Sequence, residues 1–435
     1  MKKDYQTKAA SAATVPELAM PDVIGIAMGD IAEAVREGLL ALAVGTGLQV
    51  MHALMAENVT EVCGPKGRHD PQRTAVRHGS DDGSVTLGGR RVPVRRPRVR
   101  SVDGQTELPV PAYDLFASTE LLDAMALERM MAKLSTRRYR AGLEPVGTVV
   151  EQTAKSTSRS AVSRRFVRAT EAALGELMAA DLSSLDLVAV MIDGVHFAGH
   201  CCVVALGIGI DGRKHPLALE EGDTENTTVV KDLLAGLRAR GLDTTRPTLF
   251  VLDGAKALHA GVKAVFDQPI IQRCQLHKIR NVEAKLPDRL AATVTSKMRA
   301  AYRSDNHLQA ESDLRALAAD LAKMHPGAAG SLLEGLEETL TVVRLGLPPI
   351  LRSTLRSTNA IESMIEICRD HSANVKRWRD GEMVVRWCAA GMNEAAKQFR
   401  RVKGFLHLPA LRAALDTHAT ALTDTPPCDD EEEAA

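Results

Sequence analysis

Two short apolar runs that each end in Asp-Gly constrain the fold of this chain more than any other feature. The run at 187–192 is followed by Asp193, and the run at 249–252 is followed by Asp253. Runs of this length and composition predict buried strands. A carboxylate beside a buried strand is costly unless a cation or hydrogen-bond donors compensate it. An aspartate before glycine is also a common turn residue, so one such aspartate alone does not indicate a functional site.

The segment between the two runs predicts that their strands are neighbours. Apolar residues at 201–210 predict a strand that pairs back on the first, and residues 214–223 predict a third strand. A helix capped at 224–226 follows and runs to about Arg240. Helical crossovers place parallel strands side by side, so Asp193 and Asp253 are expected to meet at the carboxyl edge of the sheet. This edge is where α/β folds bind ligands.

The later part of the chain supplies a third acid in a comparable context. Residues 268–281 predict another strand, and residues 283–350 are almost wholly helical in pattern. The segment RSTNAIESMIEICRD (356–370) predicts a helix capped at 357–359, with Glu362 in about its first turn. Such an acid commonly serves only the helix dipole. Beside two strand aspartates it becomes a candidate ligand.

Basic residues are concentrated in two N-terminal segments, although the whole chain has no net charge. Six arginines lie between Arg90 and Arg100 with no acid, around a Gly-Gly turn at 88–89. This pattern predicts a hairpin with arginines on one face, either a solvated edge or a phosphate-facing surface. Residues 148–180 predict a helix, a short turn and a second, basic helix that begins near Ser158 or Ser160. This arrangement is typical of helix-turn-helix DNA-binding regions.

Cysteine usage and hydropathy favour an intracellular protein. The seven cysteines are odd in number and scattered, which is not a disulfide framework and fits a reducing cytosol. The N-terminus lacks the apolar core of a signal peptide, and the apolar stretch at 39–50 is too short to span a bilayer. We therefore expect a cytoplasmic protein without membrane contact, associated with the nucleoid when it is bound to DNA.

The chemistry of three carboxylates favours hard divalent cations. Mg²⁺ prefers oxygen ligands and keeps waters for its substrate. Two metals held about 4 Å apart clamp the attacking and leaving oxygens of a phosphoryl displacement. Such a site needs carboxylates from separate rigid elements, here two strands and a helix, and a polyanionic partner.

Four motifs together carry a family resemblance. IDGVHF (192–197), LDGAKAL (252–258), QRCQLHKIRN (272–281) and STNAIES (357–363) resemble, in this order, the Mutator-type DDE transposases of bacterial insertion sequences. The resemblance covers roughly residues 70–415. It implies an α/β fold with a ribonuclease-H-like catalytic core, an all-helical insertion, and helical and helix-turn-helix DNA-binding regions before the core.

The resemblance also implies the roles of site residues. Asp193, Asp253 and Glu362 would form the catalytic triad and bind two Mg²⁺ ions, with Mn²⁺ able to substitute. Cys274 and His277 would lie near the active site and help to position the DNA end. We expect Arg273, Arg356 and Asn359 to assist there. A second Cys-x-x-His pair, Cys368 and His371, leaves open a zinc site made of both pairs, although Cys368 is more readily explained as a packing residue.

We divide the chain accordingly. Residues 1–75 form a leader and helical region, 76–180 an arginine-rich hairpin and helix-turn-helix-like region, 181–282 the first part of the core, 283–350 the helical insertion, 351–415 the final part of the core, and 416–435 an acidic disordered tail. Predicted DNA contacts are Arg90, Arg91, Arg95, Arg96, Arg98, Arg100, Arg159, Arg164, Arg165, Lys376, Arg377 and Arg379.

The implied activity is that of an insertion-sequence transposase. It would bind terminal inverted repeats of double-stranded DNA, free a 3′-hydroxyl at the element end and join it to target DNA. Action on two ends suggests at least a homodimer. Two alternatives stay open: a nuclease of the same core that does not join strands, and a non-catalytic DNA-binding regulator derived from a transposase.

Overall fold

The computed structural model describes residues 38–423, apart from 69, 145, 223–225 and 267–268. The described residues form two compact units. The first contains residues up to 128 together with 135–166, and the second contains 129–134 together with the residues from 167 onward. The leader, the start of the N-terminal helical region and residues 424–435 of the acidic tail lie outside the described residues. The tail prediction is wrong for residues 416–423, since helix Leu408–Thr423 includes them.

The first unit is built around a long hairpin. Strands β1 (Ala75–Leu87) and β2 (Arg90–Ser101) are antiparallel, with Leu87 opposite Arg90. Gly88 and Gly89 form the turn with φ of 53° and 75°, which glycine adopts without the usual steric cost. The predicted hairpin is therefore confirmed. The short strand β3 (Glu107–Leu108) extends the sheet, and helix α1 (Leu39–Cys63) packs against it.

Short helices complete the first unit and lead into the second. Helices α2 (Pro111–Ala117) and α3 (Glu120–Met131) follow the hairpin. The pair expected at 148–180 is present as α4 (Thr148–Thr153) and α5 (Arg159–Ala179). Ser158 Oγ accepts a hydrogen bond from the Ala161 amide at 3.3 Å, which fits the expected start of the second helix.

A five-stranded mixed sheet organises the second unit, which confirms the α/β class. The strand order is β6-β5-β4-β7-β8, antiparallel within β4–β6 and parallel across β4, β7 and β8. The strands are β4 (Leu187–Phe197), β5 (His200–Gly209), β6 (Lys214–Gly222), β7 (Leu249–Leu252) and β8 (Ile270–Arg273). The predicted strand at 268–281 was too long, because the chain turns into helix α8 (Gln275–Glu283).

Helices cover both faces of this sheet. Helices α6 (Thr227–Ala239) and α7 (Lys256–Val265) pack on the face that carries Val190 and Ile192. The opposite face carries Met191 and packs against the C-terminal helices. Successive residues of a strand point to opposite faces, so a central strand buried on both sides reads as a continuous apolar run. This is the pattern at 187–192.

Residues 283–350 are helical, as their periodicity predicts. The helices are α9 (Asp288–Arg303), α10 (His307–Ala322), α11 (Pro326–Leu333), α12 (Leu336–Thr339), α13 (Thr341–Arg344) and α14 (Pro349–Leu355). They enclose a hydrophobic cluster of their own, which includes Val294, Met298, Leu314 and Leu332.

Three further helices end the described chain: α15 (Asn359–Ser372), α16 (Gly381–Gln398) and α17 (Leu408–Thr423). Their buried faces include Ile361, Met364, Cys388 and Leu411, and these side chains pack on the sheet. Across the described ranges, no helix combines the length and hydropathy needed to cross a membrane.

Candidate active site

Asp193 and Asp253 occupy matching positions on two parallel strands. Ile192 of β4 is the register partner of Leu252 of β7, and each aspartate is the next residue. Backbone amides fix both carboxylates: Gly194 donates to Asp193 Oδ1 at 2.9 Å, and Ala255 donates to Asp253 Oδ1 at 2.7 Å. The geometry therefore places both acids at one edge of the sheet, as the crossover argument predicts.

The strand that carries Asp193 extends beyond the apolar run at 187–192 that predicts it. β4 continues to Phe197, and both Val195 and Phe197 are buried. β5 pairs with this extension through Phe197 and His200. Asp193 therefore lies within a hydrogen-bonded ladder, which holds it more rigidly than a loop would.

Glu362 lies in the first turn of α15 and is held by Thr358. The buried Thr358 hydroxyl donates to Glu362 Oε1 at 2.6 Å, and the Thr358 carbonyl accepts from the Glu362 amide at 2.9 Å. The same hydroxyl lies 3.5 Å from both Cys274 Sγ and His277 Nδ1. The sequence predicts only a helix cap at Thr358, although its i, i+4 spacing from Glu362 is a signal for this contact.

Cys274 and His277 lie beside Glu362. His277 Nε2 is 3.8 Å from Glu362 Oε1, and ligand atoms of Cys274, His277 and Glu362 all lie within 4.8 Å of one another. β8 delivers this pair, because the Cys274 amide continues the ladder by donating to the Leu252 carbonyl at 2.8 Å. The Thr358 hydroxyl therefore joins two of the four motifs, STNAIES and QRCQLHKIRN, and the Cys274 amide joins the second of these to LDGAKAL.

The electrostatics couple the three acids, because the charges of Asp253 and Glu362 both act on Asp193. The compact group of candidate ligand atoms in the described chain is Cys274, His277 and Glu362 and includes neither aspartate. Burial is the main cause that raises the pKa of Asp193 to about 7; the charges of Asp253 and Glu362 contribute to the rise, and the Gly194 amide and His277 oppose it. A hydrogen bond to Cys274 is the main cause that raises the pKa of His277 to about 9, with help from Glu362 and Asp253. His277 is therefore a cation at neutral pH and partly balances the three carboxylates.

The donor set fits divalent cations. Asp193, Asp253 and Glu362 each use one carboxylate oxygen in the hydrogen bonds described above. Among the residues that the structure describes, no hydrogen bond engages the second oxygen of any of the three. Carboxylates with unengaged oxygens suit hard oxygen-seeking ions such as Mg²⁺. One imidazolium does not neutralise three acids, so the cluster leaves charge for a metal to compensate.

Three other residues expected near the site have different placements. Arg273 is buried and donates to the Glu334 carbonyl at 2.7 Å and the Gly254 carbonyl at 3.0 Å, so it links these two segments, and its part in positioning the DNA end stays a prediction. Asn359 is exposed at the start of α15, and Arg356 is half-buried. The Arg356 carbonyl accepts from the Gln275 amide at 2.9 Å, which brings Arg356 close to the site.

The second Cys-x-x-His pair does not join the first. Cys368 is buried in the main core, and its thiol faces the Cys388 carbonyl at 3.7 Å. His371 Nδ1 bonds to the Met131 carbonyl at 2.6 Å. Within the described ranges, the one group of candidate metal ligands contains neither residue. The zinc site made of both pairs is therefore contradicted, and Cys368 is a packing residue.

The arginines of the hairpin do not share a face, which corrects our expectation. Adjacent strand residues point to opposite sides, so Arg90 and Arg91 diverge. Arg90 is buried in an ion pair with Glu151 at 2.7 Å. Arg91 donates to the Ala117 carbonyl at 2.6 Å and to Ser84. Both guanidiniums stabilise the fold of the first unit. The burial of Arg90 argues against a contact with DNA, whereas Arg91 is half-buried and its DNA contact stays a prediction.

Acids from neighbouring strands partner the other arginines of the hairpin. Arg95 pairs with Asp82 at 2.7 Å, and Glu107 pairs with Arg98 at 2.5 Å and with Arg96 at 3.6 Å. Arg100 makes a longer bond to the Gly104 carbonyl at 3.4 Å. The acid-free stretch in the sequence is therefore not an unbalanced surface in the fold.

The predicted contacts on helices and loops divide by burial. Arg165 is buried and donates to the Ser156 carbonyl at 2.7 Å, which excludes it from a surface role. The others are exposed: Arg159, Arg164, Lys376, Arg377 and Arg379. The last three surround Trp378, whose ring lies 5.0 Å from that of Phe197 at the end of β4.

Comparison with known proteins identifies the family of this chain. The family model described as "Transposase, Mutator family" matches residues 31–402. The chain belongs to the Mutator family of transposases. This membership confirms the resemblance carried by the four motifs.

Individual transposases of insertion sequences are similar to this chain. The chain is 26% identical over 369 residues to the transposase for insertion sequence element ISRM5 of Rhizobium meliloti, an alignment that covers 83% of this chain and 90% of the relative. It is 31% identical over 197 residues to the transposase for element IS6120 of Mycolicibacterium smegmatis, which covers 44% of this chain and 60% of that relative.

Proposed function

We propose that this protein is the transposase of an insertion sequence and that it cleaves and joins DNA strands with Asp193, Asp253 and Glu362. The observation that carries the proposal is the parallel register of Asp193 and Asp253, one residue past the Ile192–Leu252 pair. Glu362 completes the cluster, since its charge acts on Asp193. Family membership supports a DNA-transposing activity in general, and the acid cluster is where we locate the chemistry.

The sheet topology supports a ribonuclease-H-like catalytic core. Three antiparallel strands followed by two parallel strands give the order β6-β5-β4-β7-β8, and the acids lie on the central strand and its parallel neighbour. The helices between β8 and α15 form the insertion that separates the second acid from the third. Glu362 then returns to the sheet on α15.

We infer that the three carboxylates hold two divalent cations, Mg²⁺ or Mn²⁺. When bound, these ions neutralise phosphate charge and activate the oxygen nucleophile. The chain itself orients the ligands. Amides of Gly194 and Ala255 fix the two aspartates, and the Thr358 hydroxyl fixes Glu362. His277, cationic at neutral pH, lies where it can hold a phosphate oxygen beside Glu362.

Exposed cations on separate elements supply candidate DNA contacts. Lys376, Arg377 and Arg379 flank Trp378, which anchors their loop on the strand that carries Asp193. This placement suits contacts with the phosphate backbone near the acids. In the first unit, the exposed Arg159 and Arg164 begin the second helix of the pair, which suits binding of terminal inverted repeats. Action on two element ends at once favours at least a dimer on DNA.

The test is strand cleavage of a duplex that carries the element end, in Mg²⁺ or Mn²⁺. Asp193→Asn, Asp253→Asn and Glu362→Gln should each abolish cleavage while they preserve DNA binding in metal-free buffer. If all three variants cleave like the parent, the assignment of the acids is wrong.

The same assay separates the two alternatives. A strand-transfer product with target plasmid identifies a transposase, whereas cleavage without joining identifies a nuclease of the same core. Specific DNA binding with no metal-dependent cleavage by the parent protein identifies a non-catalytic regulator.

A further inference from the structure

A small cationic cavity lies beside the proposed active site. Its volume is about 250 Å³, and residues of helix α8 and of helices α9, α13 and α14 line it. Three arginines contribute to its wall, and no acid does. These arginines come from the end of α9 and from α14 with the residue after it: Arg303, Arg352 and Arg356.

One of the three arginines is committed to the fold, and the other two are not. Arg352 is buried, donates to the Ser304 carbonyl at 2.8 Å and pairs with Asp305. In the part of the chain that the structure describes, the guanidiniums of Arg303 and Arg356 have neither a hydrogen bond nor an ion pair. With Asp305 counted against Arg352, the cavity has two uncompensated positive charges.

One polar side chain in the wall of the cavity also lacks a hydrogen-bond partner. Gln275 is 2% exposed; its Nε2 donates to the Thr339 carbonyl at 2.8 Å, but its Oε1 is buried without a hydrogen-bond partner in the described chain. A buried acceptor without a donor is costly. An anion that brings ordered water would compensate both this oxygen and the arginines.

The wall of this cavity is shared with the acid cluster. The Gln275 amide donates to the Arg356 carbonyl at 2.9 Å, and Cys274, the residue before Gln275, lies 3.5 Å from the Thr358 hydroxyl that holds Glu362. An anion in the cavity would therefore lie close to a DNA strand bound at the acids, but it would not contact the three carboxylates.

We propose that this cavity binds one non-scissile phosphate of the DNA strand and so sets which phosphodiester reaches Asp193, Asp253 and Glu362. The inference rests on the proposed transposase function and specifies how that site registers its substrate. Guanidinium groups bind phosphate oxygens with two parallel hydrogen bonds, and Arg303 and Arg356 have the donors to do so. The role is positioning, because neither residue needs to touch the reacting atoms.

The test uses Arg303→Gln and Arg356→Gln in the full chain, with Arg299→Gln as the matched control. Arg299 is exposed on the same helix α9 and does not line the cavity. Binding is measured in EDTA, by fluorescence anisotropy, with a short duplex copied from the DNA that flanks the coding region. A series of duplexes replaces one backbone phosphate at a time with a neutral methylphosphonate.

The parent protein and Arg299→Gln should lose about tenfold in affinity when one particular phosphate is neutralised, as expected for one ionic contact. Both cavity variants should lose this discrimination at that position alone, and their cleavage products should spread to neighbouring phosphodiesters. If neutralising a phosphate costs the same affinity at every position in the parent and in the variants, the inference is wrong. In that case, specific DNA binding by the parent would still leave the proposed function intact.

Inorganic phosphate provides the second arm. If phosphate raises the melting temperature of the parent but not of Arg303→Gln, and the methylphosphonate series shows no dependence on either arginine, the cavity is a site for free anions and the DNA role is wrong. If the parent binds no DNA specifically and cleaves none with metal, the proposed function itself fails.

Discussion

Asp193 and Asp253 follow directly on Ile192 and Leu252, which face each other across two parallel strands. This relationship brings two acids together at the sheet edge through backbone register alone. Burial and the neighbouring charge raise the pKa of Asp193 to about 7. A fold that keeps this unfavourable charge cluster sacrifices stability there, which is common where acids hold metal ions.

Asp253→Asn should reduce the rate of metal-dependent strand cleavage by at least about a hundredfold, which is the scale for loss of one electrostatic contact to a transition state. The protein should bind DNA in EDTA as before, since the substitution preserves shape. The matched control is Asp211→Asn at the turn after β5, where Asp211 accepts from the Arg213 amide at 2.9 Å. Equal loss of cleavage in both variants would mean that Asp253 has no special role.

Thr358→Val should lower cleavage and Mn²⁺ affinity by roughly ten- to a hundredfold, the usual range for residues that orient metal ligands. Valine fills the same space but cannot donate a hydrogen bond to Glu362. The free energy of unfolding should therefore decrease by only about 1 kcal/mol. Thr358→Ser retains the donor and should restore most of the activity. Calorimetry measures the Mn²⁺ affinity of both variants. A loss in the valine variant alone indicates that Thr358 orients Glu362, whereas an equal loss in both variants indicates general destabilisation.

The strands of the sheet and the positions of the two aspartates could be predicted from the sequence, because the apolar runs and the Asp-Gly turns that follow them indicate the same strand ends. The buried run at 187–192 and its counterpart at 249–252 are strands flanked by a helical crossover, and the crossover argument places both aspartates at one edge. The Gly-Gly turn of the hairpin was predictable for the same reason, since positive φ at two successive residues favours glycine.

Side-chain partners that come from distant segments could not be predicted. The acids that pair with the hairpin arginines lie on β1, β3 and α4, so no local window shows them. Arg273 lies in a motif rich in polar residues, yet its partners are carbonyls of Gly254 and Glu334. Thr358 resembled a helix cap, and only the fold brings Cys274 and His277 to its hydroxyl.

Metal affinity should rise with pH between about 6 and 8. Because the pKa of Asp193 is raised to about 7, a proton must leave before a cation binds. In the metal-free protein, by contrast, the free energy of unfolding should decrease as pH rises. The raised pKa contributes stability that is fully present below the unfolded value of about 4 and is lost as pH rises through about 7. Calorimetry with Mn²⁺ between about pH 6 and 8 measures the first effect, and melting curves between about pH 4 and 8 measure the second. Asp193→Asn should flatten the melting profile, and an unchanged profile would contradict the assignment.

Arg273→Lys should weaken Mn²⁺ binding although the charge is preserved. The guanidinium bridges the Gly254 carbonyl, next to Asp253, and the Glu334 carbonyl of the insertion, and an ammonium group cannot reproduce this fork. We expect a roughly tenfold loss of Mn²⁺ affinity. Lys278→Met is the control, because Lys278 donates to the Glu334 and Ser331 carbonyls at 2.6 Å but not to Gly254. Equal losses of metal affinity in both variants would attribute the effect to a loosened insertion and not to Arg273.

Substitution of Lys376, Arg377 and Arg379 by glutamine should reduce the salt dependence of DNA binding. Each lost phosphate contact lowers the slope of log affinity against log salt by roughly 0.9. The loop is held by Trp378 against Phe197 at 5.0 Å, so its cations have a fixed position relative to Asp193 on the same strand. A triple variant of exposed α9 cations, Arg289, Lys297 and Arg299, removes the same charge and should leave the slope nearly unchanged. Anisotropy titrations at several salt concentrations measure the slope, and equal slopes for the two triple variants would show that net charge, not the placement of the loop, determines binding.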